Sequence, residues 1–135
     1  MESPVPARIL IVDDEERERK LLEDLAKNDG YMTITAASGK EALALAVTEH
    51  PNLILLDLMM PGMDGFELTR WLKSNPATHT IPVILVTALD DVDVHQRMLG
   101  CGADEFINKP VDRWELSLRI TKLLKAYHSS AAIGA

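Results

Sequence analysis

The stretch NLILLDLMMPGMDG, residues 52–65, decides the fold. Four apolar residues, Leu53, Ile54, Leu55 and Leu56, run without a polar break and stop at a carboxylate, Asp57. A short continuous apolar run bounded by turn residues fits a strand covered on both faces, because a half-exposed strand would alternate. Carboxylates are expensive to bury and rarely sit in a core without a partner. A strand that reads as wholly buried and yet finishes on an aspartate therefore has an end that opens onto something.

Two other runs share the pattern, RILIV at 8–12 and PVILV at 82–86, and two weaker strands are YMTITAA at 31–37 and DEFINK at 104–109. The segments between them read as helices. Residues 15–28 carry Leu21, Leu22 and Leu25 beside EERERK. Residues 39–49 follow Ser38 and Glu41, a capping-box pair, and residues 65–74 follow Asp64 with Glu67 three positions on. A fourth helix is expected over 91–99. A fifth starts where Asp112 and Glu115 stand in capping positions and repeats Leu116, Ile120, Leu123 and Tyr127 at helical spacing. Gly30 and Pro51 mark helix ends. Strictly alternating strands and helices imply an α/β fold: a parallel sheet with right-handed crossovers and helices on both faces. We expect an N-terminal extension over 1–7, one domain over 8–128, and a tail or the start of a linker in SSAAIGA, 129–135.

A chain of 135 residues is the size of one domain and buries enough core to fold without disulfides or metals. Its net charge of −7 repels nucleic acid and anionic membranes, so direct binding to either is not expected. The single cysteine, Cys101, permits no internal disulfide and suits a reducing, cytoplasmic setting. It has no base nearby in sequence and reads as a small buried residue. The N-terminal MESPVPA has neither the basic nor the apolar region of a signal peptide, and no apolar run approaches membrane-spanning length.

The strand ends carry the chemistry. The first ends in Asp13-Asp14, the third in Asp57, the fourth in Thr87 and the fifth in Lys109-Pro110. In an open parallel sheet all carboxyl ends meet one edge, and ligands bind in the crevice beyond it. Three carboxylates brought together repel one another, and a cation relieves the repulsion. Oxygen ligands favour Mg²⁺ over zinc. A hard metal, an ammonium, a hydroxyl and a carboxylate nucleophile together suit phosphoryl transfer onto an aspartate. Simpler roles compete for single residues. Asp14 could cap the first helix, and MMPGMDG could be a turn. EERERK reads as a solvated face, and Trp71 and Trp114 as packing residues. The histidines His50, His79, His95 and His128 show no ligand spacing. No simple role explains four strand ends at once.

The pieces ILIVDDE, LILLDLMMPGMDGFEL, IPVILVTA and GADEFINKP, in this order over about residues 8–125, resemble the receiver domains of two-component response regulators, the chemotaxis regulators among them. The resemblance implies a doubly wound (βα)5 three-layer sandwich of the flavodoxin-like kind, with a five-stranded parallel sheet ordered 2-1-3-4-5; receivers are among the standard examples of that order. It implies Asp57 as phosphoacceptor. Asp14, Asp57 and the Met59 backbone carbonyl would be Mg²⁺ ligands, and Asp13 would hold a metal-bound water. Lys109 would pair with a phosphoryl oxygen. Thr87 would be the switch hydroxyl and Phe106 the switch aromatic, here without a hydroxyl. The Lys109–Pro110 peptide would be cis. Implied partners are a sensor histidine kinase or phosphotransfer protein as donor and an effector as receiver of the signal. The fourth helix, fifth strand and fifth helix, roughly 91–125, would be the readout surface and a route to a homodimer.

The resemblance implies a switch, self-phosphorylating and autodephosphorylating, rather than an enzyme with an external substrate. Aspartate-nucleophile phosphatases of the haloacid dehalogenase type also place Asp after a strand, but their general acid two residues on is here Met59, which has no proton to donate. A dinucleotide fold is disfavoured because DDEERE, not a glycine-rich turn, follows the first strand. A phosphorylation-independent pseudo-receiver scaffold is the remaining alternative, and the complete acidic set with Lys109 argues against it.

Overall fold

The computed structural model describes residues 6–89 and 92–134, with side chains as far as residue 127. Ten elements alternate along the chain: β1 (Arg8–Val12), α1 (Glu16–Asn28), β2 (Met32–Ala36), α2 (Gly39–Glu49), β3 (Leu53–Asp57), α3 (Gly65–Ser74), β4 (Val83–Thr87), α4 (Val92–Gly100), β5 (Glu105–Asn108) and α5 (Arg113–Gly134). The strands form one parallel sheet in the order β2-β1-β3-β4-β5. This is the expected architecture.

Burial follows position in the sheet. Every residue of β3 and β4 is buried, whereas the edge strands β2 and β5 are only partly so. That is why the two edge strands read more weakly in sequence. Successive residues point to opposite faces, so each central strand feeds two cores. Leu10, Val12, Ile54, Leu56, Val83 and Leu85 pack in one core with Phe66, Leu68, Leu72, Val94 and Met98. Ile9, Ile11, Leu53, Leu55 and Ile84 pack in the other with Leu22, Ala26, Leu116, Ile120 and Leu123. The first core lies beneath α2, α3 and α4, and the second beneath α1 and α5.

Local chemistry sets the boundaries. The Ser38 hydroxyl accepts from Glu41 N at 3.2 Å, Asp64 Oδ1 from Glu67 N at 2.8 Å, and Asp112 Oδ1 from Glu115 N at 2.9 Å. Each satisfies an amide that the first helical turn leaves unpaired. Gly62 takes φ +83°, which a side chain disfavours. A Cβ on Gly65 would sit 2.8 Å from Leu58 Cα, so glycine is needed where α3 starts against the end of β3.

The packing expectation for the two tryptophans is corrected, and the capping alternative for Asp14 falls away. Asp14 is not a helix cap: Glu15 holds that position and its side chain makes no cap hydrogen bond. Trp114 does not pack inside, being 74% exposed, with the Arg113 guanidinium 5.2 Å from its ring centre, and Trp71 is 41% exposed. Both lie off the buried stripes of their helices. The segment 129–134 continues α5. This stretch contains no helix breaker before Gly134.

Candidate functional site

Strand register assembles the site. Val12 pairs with Leu56, so the next residues, Asp13 and Asp57, become neighbours. Asp57 pairs with Val86, and Thr87 with Asn108, which leaves Lys109 one step further along the same edge. The Lys109 amide donates to the Thr87 carbonyl at 2.8 Å and keeps β5 aligned up to that point. The Lys109–Pro110 peptide is cis.

Carboxylate oxygens of Asp13, Asp14 and Asp57 all lie within 4.8 Å of one another. Asp13 and Asp57 are buried and Asp14 is exposed, so the cluster has a closed floor and an open rim. Asp13 Oδ1 accepts from Glu15 N at 2.9 Å, and the Asp13 carbonyl accepts from Arg19 Nη1 at 2.9 Å. Asp13 Oδ2 is buried and accepts no hydrogen bond. Lys109 Nζ stands 3.5 Å from Asp13 Oδ2 and 3.5 Å from Asp57 Oδ1. The Thr87 hydroxyl oxygen accepts from Leu89 N at 3.0 Å, so its proton remains available to another acceptor. Met59 is 59% exposed at the rim, and its amide lies 3.4 Å from Asp57 Oδ1.

The electrostatics follow from burial. Burial pushes the Asp57 pKa up; Lys109 opposes the rise and Asp13 adds to it, and the result is about 6. Asp13 is raised for the same first reason, burial. Burial works to lower Lys109, but the hydrogen bond to Glu18 and the charges of Asp57 and Asp13 outweigh it, and its pKa rises. Two anions are thus held where neither is comfortable, and one cation is held fully charged. The orphaned Asp13 oxygen, the three converging hard-oxygen donors and the open rim fit a small divalent cation of the Mg²⁺ type.

The cleft over these residues holds about 300 Å³ and is lined by Asp14, Glu18, Asp57, Met59, Thr87 and Lys109 among others. A larger cavity of about 710 Å³ opens at the opposite edge, beside Pro6, Asn52, Pro82 and Tyr127. Size does not make it the site, since the clustered carboxylates all lie at the carboxyl edge.

Phe106 lies on β5, partly buried against the α2–α4 core, with its ring 4.6 Å from that of His95 on α4. Cys101 is buried and its thiol donates to the Met98 carbonyl. The reading of EERERK as a solvated face missed Glu18, which bonds Lys109. A signal was present: Glu18 stands four residues before Leu22 and eight before Ala26, the buried residues of α1. A charge in register with a buried stripe faces inward. Asn108 was also missed; its side-chain amide donates to the Leu89 carbonyl at 3.1 Å and ties β5 to the loop after β4.

The chain resembles known proteins along most of its length. Residues 9–121 match the response regulator receiver domain family. Response regulator PleD of Caulobacter vibrioides is 46% identical over 119 residues, which are 88% of this chain but 26% of that protein. The polar-differentiation response regulator DivK of Brucella ovis is 43% identical over 103 residues, 76% of this chain and 84% of that protein. The crystal structure of the receiver domain of a signal transduction histidine kinase from Syntrophus aciditrophicus superposes with a TM-score of 0.83 at 41% identity, covering 89% of this chain and 91% of that one. The strand order, the acidic edge and the match over 9–121 agree: this chain belongs to the response regulator receiver domain family.

Proposed function

We propose that the chain is a phosphorylation switch in which Asp57 takes a phosphoryl group from a sensor histidine kinase or phosphotransfer protein. The observation that carries this reading is the convergence of Asp13, Asp14 and Asp57 within 4.8 Å, with Lys109 Nζ 3.5 Å from two of them. An Asp57 carboxylate oxygen attacks phosphorus, and the bond from phosphorus to the donor nitrogen breaks. The donor imidazole keeps the electron pair and regains a proton, and an acyl phosphate is left on Asp57.

Asp14, Asp57 and the Met59 carbonyl would hold Mg²⁺, with Asp13 holding one of its waters. When bound, the ion neutralises charge on the phosphoryl oxygens. Lys109 supplies a second positive charge to those oxygens. The Thr87 hydroxyl, whose oxygen already accepts from Leu89 N, would donate a hydrogen bond to a phosphoryl oxygen. The chain performs this on itself and passes on a conformation rather than a product.

The readout surface is α4, β5 and α5. Val92, Leu99 and Leu118 expose apolar side chains there, and Trp114 joins them at the start of α5. This surface would meet an effector or a second copy of the chain. No described helix is long and apolar enough to cross a membrane, and a net charge of −7 gives no affinity for nucleic acid. The kinase reaction would place the chain in the cytoplasm.

The reading is tested by incubating the protein with a small acyl-phosphate donor with and without Mg²⁺ and weighing it intact. One phosphoryl group is expected on wild type only with Mg²⁺, and none on Asp57→Asn, which keeps the size and removes the nucleophile. Wild-type labelling of Asp57→Asn would overturn the assignment.

A further inference from the structure

Three carboxylates share the Lys109 ammonium, and they share it unequally. The close hydrogen bond goes to Glu18 Oε2 on α1. Asp13 Oδ2 and Asp57 Oδ1 each lie 3.5 Å away, longer than an ordinary N–H···O hydrogen bond. Asp13 Oδ2 meanwhile is buried without any hydrogen-bond donor, an arrangement that costs stability. Lys109 is the one ion-pair partner of Asp13 among the described residues. The donor that would satisfy this oxygen is drawn toward the rim.

We propose that Glu18 is a positioning residue that holds Lys109 off the phosphoacceptor site, so that an incoming phosphoryl group must displace Glu18 from the ammonium. The inference rests on the reading of Asp57 as phosphoacceptor and Lys109 as the partner of a phosphoryl oxygen.

Placement gives Glu18 this role and no other acidic residue of α1. It stands in register with Leu22 and Ala26, so the packing of α1 on the sheet aims it at the strand ends. The Asp13 and Asp57 side chains are 0% and 8% exposed and have nowhere to go. The Glu18 side chain is 38% exposed and can swing into water once its partner is taken. Glu18 therefore acts as a modest, releasable competitor: it stands in for the phosphoryl oxygens in the resting protein and leaves when they arrive. Glu15 also lines the cleft and carries the same charge, but it makes no ion pair with Lys109 among the described residues. It separates a specific hold on the ammonium from a general repulsion of anions.

The experiment is titration with beryllofluoride, a phosphoryl mimic, at saturating Mg²⁺, followed by amide shifts around residue 57. Mg²⁺ binding alone is measured in parallel. Glu18→Gln and Glu18→Ala are expected to tighten beryllofluoride binding about fivefold, the scale of one partly exposed ion pair, without tightening Mg²⁺ binding. Glu15→Gln is expected to change it less than about twofold, since no pair is broken. An equal gain in Glu15→Gln, or no gain in either Glu18 variant, overturns the proposal. Lys109→Gln distinguishes the two readings. If it loses beryllofluoride while Glu18→Gln gains nothing, the hold by Glu18 alone is wrong. If it binds as tightly as wild type, the role of Lys109 is wrong and the hold fails with it.

Discussion

Asp57 is a carboxylate whose surroundings work against its charge. Burial raises its pKa to about 6, against 3.8 in the unfolded chain. Between these values the folded state binds the extra proton, so stability falls as pH rises through that window and then levels off. The interval corresponds to on the order of 2–3 kcal/mol of strain held by the ionised, metal-free protein at neutral pH. Asn is close in shape to the protonated acid and never ionises. In chelator, Asp57→Asn should therefore be more stable than wild type at pH 8, and the gap should close as pH falls from 6 toward 4. Urea unfolding of both proteins across this range measures it, and parallel pH profiles would show that Asp57 carries no such strain. The same strain gives the resting site a reason to take up a cation, because a cation favours the ionised form. Local sequence context suffices to find Asp57, whose position at the end of an apolar run is visible from its neighbours. Glu18 was missed because its role depends on how α1 seats against a strand end 91 residues away.

At the scale of elements, the start of α3 shows a local preference overruled by contact. Gly65 is the first residue of that helix, and replacing a helical glycine by alanine ordinarily gains up to about 1 kcal/mol. Here the added Cβ would stand 2.8 Å from Leu58 Cα and 3.1 Å from the Leu58 carbonyl oxygen, both backbone atoms. Backbone at the end of the central strand gives way only by moving Asp57 or tilting α3. Gly65→Ala should thus cost about 1–3 kcal/mol, with the opposite sign to propensity. Chemical denaturation decides, and a stabilised variant would mean that α3 shifts freely. The elements differ in how well sequence announced them. β3 and β4 are buried on both faces and read as continuous apolar runs. β2 and β5 lie at the sheet edges, where partial exposure dilutes the pattern. Ser38, Asp64 and Asp112 marked helix starts because capping acts within three residues. The fate of Trp114 was not legible, since a tryptophan's burial depends on what the fold sets opposite it, and α5 turns this one outward. Nor was the group at the far edge, where Asp104 accepts from Lys73 Nζ, Val83 N and the Tyr127 hydroxyl. Its members come from four separate segments, and no local pattern joins them.

Across the whole molecule, strand alternation sends Asp13 and Asp57 to one face of the sheet and Thr87 to the other. Asp13 continues the face of Ile9 and Ile11, and Asp57 that of Leu53 and Leu55, toward α1 and α5. Thr87 continues the face of Val83 and Leu85, toward the core in which Phe106 packs and on which α4 rests. Thr87 is thus the residue that stands at the edge of the site and also belongs to the opposite face. A change at Asp57 reaches α4 and β5 only if something crosses the sheet edge, and the Thr87 hydroxyl is placed to do so. On the proposed reading, a phosphoryl group that drew Thr87 toward itself would open space on the Phe106 side, and the ring, tilted 45° to that of His95 at 4.6 Å, would turn into it. A ligand shifts such an equilibrium only through a differential interaction with the two states, and on the proposed reading a hydrogen bond from Thr87 to the phosphoryl group would be that interaction. Thr87→Ala should therefore still bind Mg²⁺ and beryllofluoride but lose the distant response. In wild type, amide shift changes on adding beryllofluoride should appear around residue 57, at Phe106 and along α4 and the start of α5. In Thr87→Ala the changes near residue 57 should persist while those at Phe106 and along α4 fall to a small fraction. Full distant changes in the variant would mean that the signal crosses by another route, for which the Asn108 tie to the Leu89 carbonyl is the next contact to cut.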